Sequence, residues 1–196
     1  MKKILLLSLL TSVAMVGASK ADTLPAPVIA IVEQATLDKS AAFKSIIQQV
    51  EKKRAEVQKE MTTYENELKA QDKQLADEQK KLSEKDFATK RQEFEKRVHD
   101  VQEKLEIRRA QMELGVEEAK KKVYEAFLKS SEEVMKEVGA NVIVYKETIV
   151  TANPAFDLTS KVLAKLDQTL PTVQVTYKSE ADVKKQLQQS QQPAQS

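Results

Sequence analysis

Two consecutive apolar repeats decide the fold of this chain. The first lies in residues 43–82, FKSIIQQVEKKRAEVQKEMTTYENELKAQDKQLADEQKKL, and the second in residues 83–112, SEKDFATKRQEFEKRVHDVQEKLEIRRAQM. In both, apolar residues recur alternately three and four positions apart, which places one apolar stripe along a helix and is typical of coiled-coil packing. The stripes predict an arm core made of Leu68, Leu75, Leu82, Phe87, Phe94 and Val101.

The two stripes fit each other as an antiparallel hairpin. Facing residues of such a hairpin have numbers with a constant sum, and a sum of 169 matches most of the apolar positions. It pairs Leu82 with Phe87, Leu75 with Phe94, and Leu68 with Val101. The same sum places the acidic Glu78 opposite the basic Arg91. We therefore predict one hairpin arm, about 65 Å long at 1.5 Å per residue, rather than two independent helices.

Helix-capping signals bound this arm at residues 41–138. Ser40 precedes the first helix and has the hydroxyl of a good N-cap. Residues 83–86, SEKD, resemble a capping box with Asp in place of Glu, directly before the second stripe begins. Gly139 is placed to end the second helix as its C′ residue.

The first 21 residues have the three parts of a secretory signal peptide. Lys2 and Lys3 form a basic start, residues 4–17 are mostly apolar, and small residues at Ser19 and Ala21 fit a cleavage site. The apolar run is shorter than the roughly 20 residues that a membrane-spanning helix needs. We predict cleavage near Ala21 and export to the periplasm.

The segments that flank the arm, residues 22–40 and 139–171, are predicted to form a small body. Residues 28–32, VIAIV, form a continuous apolar run that predicts a buried strand. Residues 141–145 and 148–151 are predicted as the two strands of a hairpin with a two-residue turn between them. So few strands bury little surface in one copy and leave exposed sheet edges, so we expect oligomerisation through this body.

The C-terminal part of the chain changes composition after a last predicted helix. That helix begins at Asp157 and is stopped by Pro171. Residues 172–196 are rich in Gln and Ser and end in QLQQSQQPAQS. Such a composition does not bury a core. Residues 172–177 could form an extra strand, but we predict that residues 172–196 form a mostly disordered tail.

The residue inventory argues against an enzyme. The chain has no Cys and one His, and it contains no Gly-rich phosphate loop, no cluster of metal ligands and no Ser-His-Asp constellation. We therefore predict no catalytic residues, no cofactor and no metal. The single histidine, His99, lies off the apolar stripe and is expected to be exposed and to have no role as a proton switch or metal ligand. Gly115 lies where the second stripe changes phase, which indicates either a flexible point in the arm or close packing of helices.

Net charge also limits the expected partners. The whole chain carries a formal charge of +2, and residues 1–21 contribute three lysines and no acid, so their removal leaves −1. The mature chain is not basic as a nucleic-acid-binding protein would be, and we expect no nucleic acid partner.

The order of these segments resembles the Skp/OmpH family of periplasmic chaperones. The resemblance runs over roughly residues 28–170. It begins with VIAIV at residues 28–32 and continues through the helical hairpin to NVIVYKETIV at residues 141–150. Asp157, Leu158, Thr159 and Val162 are similar to the family's Asp-(Ile/Leu)-Thr-x-x-Val signature at the start of the C-terminal helix.

This resemblance implies a mainly α fold with a small β body, in which a long antiparallel helical hairpin arm projects from a trimeric, barrel-like strand body in a jellyfish shape. It further implies a homotrimer whose arms enclose a cavity for unfolded outer-membrane proteins and prevent their aggregation without ATP. The residues expected in the trimer body are Ile29, Ile31, Val142, Val144 and Ile149. Family members are commonly strongly basic, so the near-neutral mature charge argues against tight contact with lipopolysaccharide or anionic membrane lipid.

A different class of function also fits a long exported hairpin. A structural or adaptor coiled-coil protein of the cell envelope would use the arm to join other proteins rather than to hold unfolded ones. Such adaptors normally place substantial sheet domains around the hairpin, and this chain has few strands. Block of aggregation by the purified protein distinguishes the two readings.

Overall fold

The structure is a computed structural model, and it describes residues 24–190. Its main elements are β1 (Ile29–Val32), α1 (Ala41–Glu78), α2 (Glu84–Val138), β2 (Val142–Tyr145), α3 (Thr159–Thr169) and α4 (Glu180–Ser190). Short 3-10 turns lie at Gln34–Lys39, Lys146–Thr148 and Pro154–Phe156. The predicted signal peptide and the last six residues of the predicted tail lie outside the described residues. Between residues 24 and 190, no helix combines the length and the apolar character needed to cross a membrane.

The arm is an antiparallel pair of long helices, as predicted. Helix α1 has 38 residues and α2 has 55, which correspond to about 57 Å and 82 Å at 1.5 Å per residue. The predicted fold class is confirmed: the chain is mainly α, with a small two-stranded sheet and a long hairpin. The trimeric arrangement stays a prediction.

The three predicted caps are confirmed. The hydroxyl of Ser40 accepts a hydrogen bond from the backbone N–H of Phe43 at 3.1 Å. Ser83 accepts one from the backbone N–H of Asp86 at 3.2 Å and donates its own proton to the Asp86 carboxylate. Gly139 follows α2 with φ +73°, the left-handed conformation that costs glycine least. These caps could be predicted from the sequence because each involves residues about three positions apart.

The register of the hairpin lies within one residue of the predicted one, but the predicted ion pair is wrong. Glu78 pairs with Lys90, and Glu60 pairs with Arg108. Both pairs of residue numbers sum to 168 rather than 169. Arg91 instead pairs with Glu95 one turn further along its own helix, at 3.0 Å.

The sheet differs from the predicted one. Strands β1 and β2 pair in parallel, with Ile29 opposite Val142 and Val32 opposite Tyr145. The predicted hairpin of residues 141–145 and 148–151 is wrong, because residues 146–148 form a 3-10 turn and no strand follows there. Lys-Glu is a poor two-residue turn. Strand β2 pairs instead with β1, which lies before the arm in the sequence. On the other edge of β1, the backbone N–H of Leu158 donates to the Ile31 carbonyl at 2.8 Å.

The core lies where the sheet, the arm and α3 meet. One face of the sheet packs against the inner ends of both arm helices and against α3, and the buried cluster extends to the residues after α3. Its members are Ala30, Val32, Ala42, Ile46, Ala119, Val123, Phe127, Val134, Leu158, Val162, Leu166, Val173 and Val175. The body and the base of the arm therefore share a single core.

The prediction of a mostly disordered tail is wrong for residues 172–190. Residues 172–179, which we name the strap, run extended across the base of the arm, and α4 follows them. Val173 and Val175 belong to the core cluster, and Val183 on α4 is fully buried. The composition is Gln-rich, but its few apolar residues are placed where they can be buried.

Candidate functional site

The outer half of the arm exposes part of its apolar seam. All six predicted arm-core residues, Leu68, Leu75, Leu82, Phe87, Phe94 and Val101, lie at the helix interface and are half-buried. Leu75 and Phe94 line one groove of about 260 Å³ between the helices, in agreement with their predicted pairing. A seam made by only two helices covers each side chain from one side. Within residues 24–190, the other side is exposed.

The middle of the arm is different because a third helix covers it, from the level of Arg108 outward past Glu103. Helix α4 packs along α2, and here Val57 and Ile107 are buried. Lys184 of α4 pairs with Glu103 of α2 at 2.8 Å. In the part of the chain that the structure describes, the arm therefore has a three-helix middle section and a two-helix outer part.

Arg108 is the polar centre of this three-helix section. Its guanidinium lies 3.0 Å from the Glu60 carboxylate on α1 and 2.7 Å from the Glu180 carboxylate on α4. The hydrogen bond from Arg108 lowers the pKa of Glu60, and the two acids raise the pKa of Arg108. One side chain thus connects all three helices by charge-assisted hydrogen bonds.

Basic and aromatic side chains meet further along the arm at Tyr64. The charged groups of Arg97 and Lys104 lie 5.4 Å and 5.1 Å from the centre of the Tyr64 ring. Lys104 also donates to the Tyr64 hydroxyl at 3.0 Å, and this contact raises the pKa of Lys104. These cation–π contacts join the two helices of the arm.

The body presents an apolar outer face. Ile29 and Val142 lie opposite each other in the sheet and are 44% and 38% exposed. Val150 is fully exposed and Phe156 about half exposed nearby in the chain. In the part of the chain that the structure describes, β2 has no strand partner on its outer edge. Exposed apolar side chains beside an open strand edge are typical of an interface with another chain.

The structure divides the residues predicted for the trimer body. Ile29 and Val142 are exposed and available to a partner. Val144 and Ile149 are half-buried. Ile31 is buried in the single chain, in a cavity that Ile149 and the loop after it also line. Ile31 therefore supports the position of that loop.

A cluster of possible metal ligands lies on the outer part of α2, which the sequence did not indicate. His99, Asp100 and Glu103 each offer one ligand atom, and these three atoms lie within 4.8 Å of one another. The Glu103 carboxylate already accepts a hydrogen bond from Lys184. The positive charge of the Lys184 ammonium group disfavours a metal ion at this cluster. His99 is exposed, as predicted.

The strap and α4 are the elements near the site that the sequence-based prediction of a disordered tail left out. Two signals could have found them. Val173, Val175 and Tyr177 alternate with polar residues, which is the pattern of a half-buried extended segment. Ser179 then caps α4 as Ser83 caps α2: its hydroxyl accepts a hydrogen bond from the Asp182 N–H at 3.2 Å and donates to the Asp182 carboxylate.

Comparisons with known proteins agree with this architecture. A family model described as outer membrane protein (OmpH-like) matches residues 28–166. A search of curated proteins found no match. The crystal structure of a "putative outer membrane chaperone (OmpH-like)" from Caulobacter crescentus CB15 has a TM-score of 0.73 and 20% identity, and the match covers 80% of this chain and 94% of that one.

At 20% identity, the structural likeness supports the fold alone. The family match is broader: it takes in the sheet, both arm helices and most of α3, and it ends before the strap. Because this match covers well over half of the sequence, the chain belongs to the OmpH-like family.

Proposed function

We propose that this protein is a non-catalytic, ATP-independent holdase chaperone of the periplasm. In the proposed mechanism it binds unfolded outer-membrane proteins in a cavity between the arms of a homotrimer and prevents their aggregation. The observation that carries the proposal is a long arm, in a chain of the OmpH-like family, whose outer seam is half-exposed. An unfolded client can touch such a seam at many places without adopting a fold.

The body face supports the assembly part of the proposal. Three copies joined through Ile29, Val142 and the open edge of β2 would bury apolar surface that one copy leaves in water. Arms that project from one body would then surround a common space. The cavity would hold its client by contact and exclusion, with no chemical step and no nucleotide.

A graded shortening of the arm tests this mechanism. Deleting residues 71–77 together with 91–97 removes one heptad from each helix, and deleting 64–77 with 91–104 removes two. Both deletions keep the helix phase, the tip turn and the observed register sum. They shorten the arm by about 10 Å and 20 Å.

We expect protection of a large urea-unfolded outer-membrane protein to fall with each deletion, as followed by light scattering after dilution. Native mass spectrometry serves as the control for an intact oligomer. Full protection by the folded, oligomeric two-heptad variant would refute a cavity formed by the arms. A wild-type protein that fails to slow aggregation at stoichiometric concentration would instead favour the adaptor class.

A further inference from the structure

The strap lies in a groove that binds mainly its backbone. On the α1 side, the Ser45 hydroxyl accepts a hydrogen bond from the Val173 N–H at 3.1 Å, and the Gln49 amide donates to the Val173 carbonyl at 2.8 Å. The Gln49 amide oxygen also accepts from the Val175 N–H at 3.0 Å. These bonds recognise an extended main chain whatever its side chains are.

The α2 side of the groove is also built around the main chain. Gln111 is a buried polar residue, and its amide donates to the Lys178 carbonyl at 2.6 Å. A Cβ at Gly115 would lie only 2.7 Å from the Thr176 carbonyl oxygen. Gly115 therefore provides the space through which the strap backbone approaches the helix. Of the two interpretations of Gly115 from sequence, close packing holds, with an extended segment as the neighbour.

The groove covers the side chain at every second position of the strap. Val173 and Val175 are buried and Tyr177 is half-buried, while Gln174, Thr176 and Lys178 are exposed. A segment with this alternation and an extended backbone is what the groove accepts. Transmembrane β-strands of outer-membrane barrels alternate apolar and polar side chains in the same way.

The strap is an imperfect occupant of its own groove. The Tyr177 hydroxyl is buried and has no hydrogen-bond partner among the described residues, and this burial raises the pKa of Tyr177. An unsatisfied buried hydroxyl weakens binding. A ligand with Phe at this place would keep the ring contact, including the Lys53 ammonium 5.5 Å from its centre, without that cost.

We propose that the groove between α1 and α2 at the base of the arm is a binding site for extended peptide segments with apolar side chains at alternate positions, and that the strap is its tethered occupant. The chemical class of ligand stands on the groove alone. Its natural source, an unfolded outer-membrane protein, rests on the proposed function. The tether gives the strap a high local concentration, so a free segment must compete with it.

Full-length variants with an emptied or a filled groove test the proposal. Val173→Asp with Val175→Asp places charges in the core and releases the strap, while Ser45, Gln49, Gln111 and Gly115 remain in place. Gly115→Leu displaces the strap as well, but it fills the groove. Tyr177→Asp is a milder release variant in case the double substitution impairs folding. Circular dichroism and amide hydrogen exchange of residues 172–179 establish that each chain is folded and its strap released.

The probe is a fluorescein-labelled peptide, TVQVTFKS, which copies residues 172–179 with Phe in place of Tyr. A rearranged peptide, VVQTTFKS, keeps the composition but loses the alternation. By fluorescence anisotropy, we expect the release variants to bind the probe at least about tenfold more tightly than the wild type does, because the tethered strap no longer competes. We expect Gly115→Leu to bind it as weakly as the wild type does. We also expect the release variants to prefer the probe to the rearranged peptide.

Equal binding of the probe by a folded release variant and by Gly115→Leu would overturn the groove as a site, and so would equal binding of the two peptides. Aggregation protection by the wild type, measured on the same preparations, separates this outcome from failure of the proposed function. A wild type that protects clients while the release variants ignore the probe would refute the groove and leave the holdase proposal standing.

Discussion

Gly115 of α2 and the carbonyl oxygen of Thr176 lie so close that a Cβ at position 115 would be 2.7 Å away from that oxygen. This contact joins the middle of a 55-residue helix to a segment outside the matched family region. It reverses the usual effect of removing glycine from a helix.

Gly115→Ala is expected to loosen the strap. In an exposed helix interior this change stabilises by about 1 kcal/mol, but here the methyl group displaces the Thr176 carbonyl. We expect faster amide hydrogen exchange in residues 172–179 and no gain in thermal stability. Glu117→Ala, at an exposed position of the same helix, is the control and should leave strap exchange unchanged. A rise in melting temperature with unchanged strap exchange would contradict the contact.

Replacing Arg108 with Met is expected to destabilise the three-helix section of the arm by roughly 1–3 kcal/mol, because it leaves Glu60 and Glu180 without their shared cation. Urea unfolding followed by circular dichroism measures the effect. Arg91→Met removes an exposed pair with Glu95 and should cost less than about 1 kcal/mol. Equal effects of the two substitutions would show that the three-helix junction adds no stability.

Asp157 is expected to make the body sensitive to acid. Its carboxylate accepts hydrogen bonds from Thr159 and Lys146, which lower its pKa from 3.8 to about 2. Because the folded-state pKa is depressed, the stabilisation is fully present above about pH 4 and is lost as the pH falls through about 2. Asp157→Asn should lose about 1–2 kcal/mol at pH 7 and show a flatter stability profile from pH 4 to 2. The control is Asp72→Asn on the exposed arm. An unchanged profile for Asp157→Asn would exclude this carboxylate as the acid-sensitive group.

Ile29→Asp is expected to separate the subunits without unfolding them. Ile29 is 44% exposed in the single chain, whereas its neighbour Ala30 is buried in the core. A charge at Ile29 would be buried only in the assembly, where an unpaired charge is costly. Native mass spectrometry should show monomer with an unchanged circular dichroism spectrum. Ala30→Asp, the comparison variant, should lose the folded spectrum itself. An oligomer that survives Ile29→Asp would move the interface elsewhere.

Client binding is expected to depend weakly on salt. Residues 69–104, near the arm tip, carry ten basic and nine acidic residues, so no strong net charge attracts a client there. At 1 M salt, interactions between exposed charges are screened beyond about 3 Å, while apolar contacts persist. Client affinity should therefore fall by less than about tenfold between 50 mM and 1 M NaCl. A fall of several orders of magnitude would show that charge captures the client.

The features that the sequence predicted correctly depend on residues that lie close together in the chain. Heptad spacing and capping boxes involve residues within one or two turns, so the arm and its ends at Ser40, Ser83 and Gly139 were predictable. The parallel pairing of β1 with β2 joins residues more than a hundred positions apart. A preference for local hairpins therefore led to the wrong strand partner.

The strap was missed for a related reason. Average composition outweighed the alternation of Val173, Val175 and Tyr177. Most of the bonds that hold the strap use its backbone, which leaves little trace in composition. In the sequence, Gly115 was the residue that indicated a close contact on α2. The sequence alone did not show that the contacting segment is the strap.

The third helix along the middle of the arm has a mechanical consequence. A rod of three packed helices resists bending more than a rod of two, so the change of thickness beyond Glu103, which pairs with Lys184 of α4, concentrates bending in the outer part. From Glu65, which faces Glu103 by the observed register, to Glu78, α1 extends about 20 Å. We therefore expect bending motions to be larger in this outer part than in the three-helix section. The reach of α4 along the arm sets how much of the arm can bend.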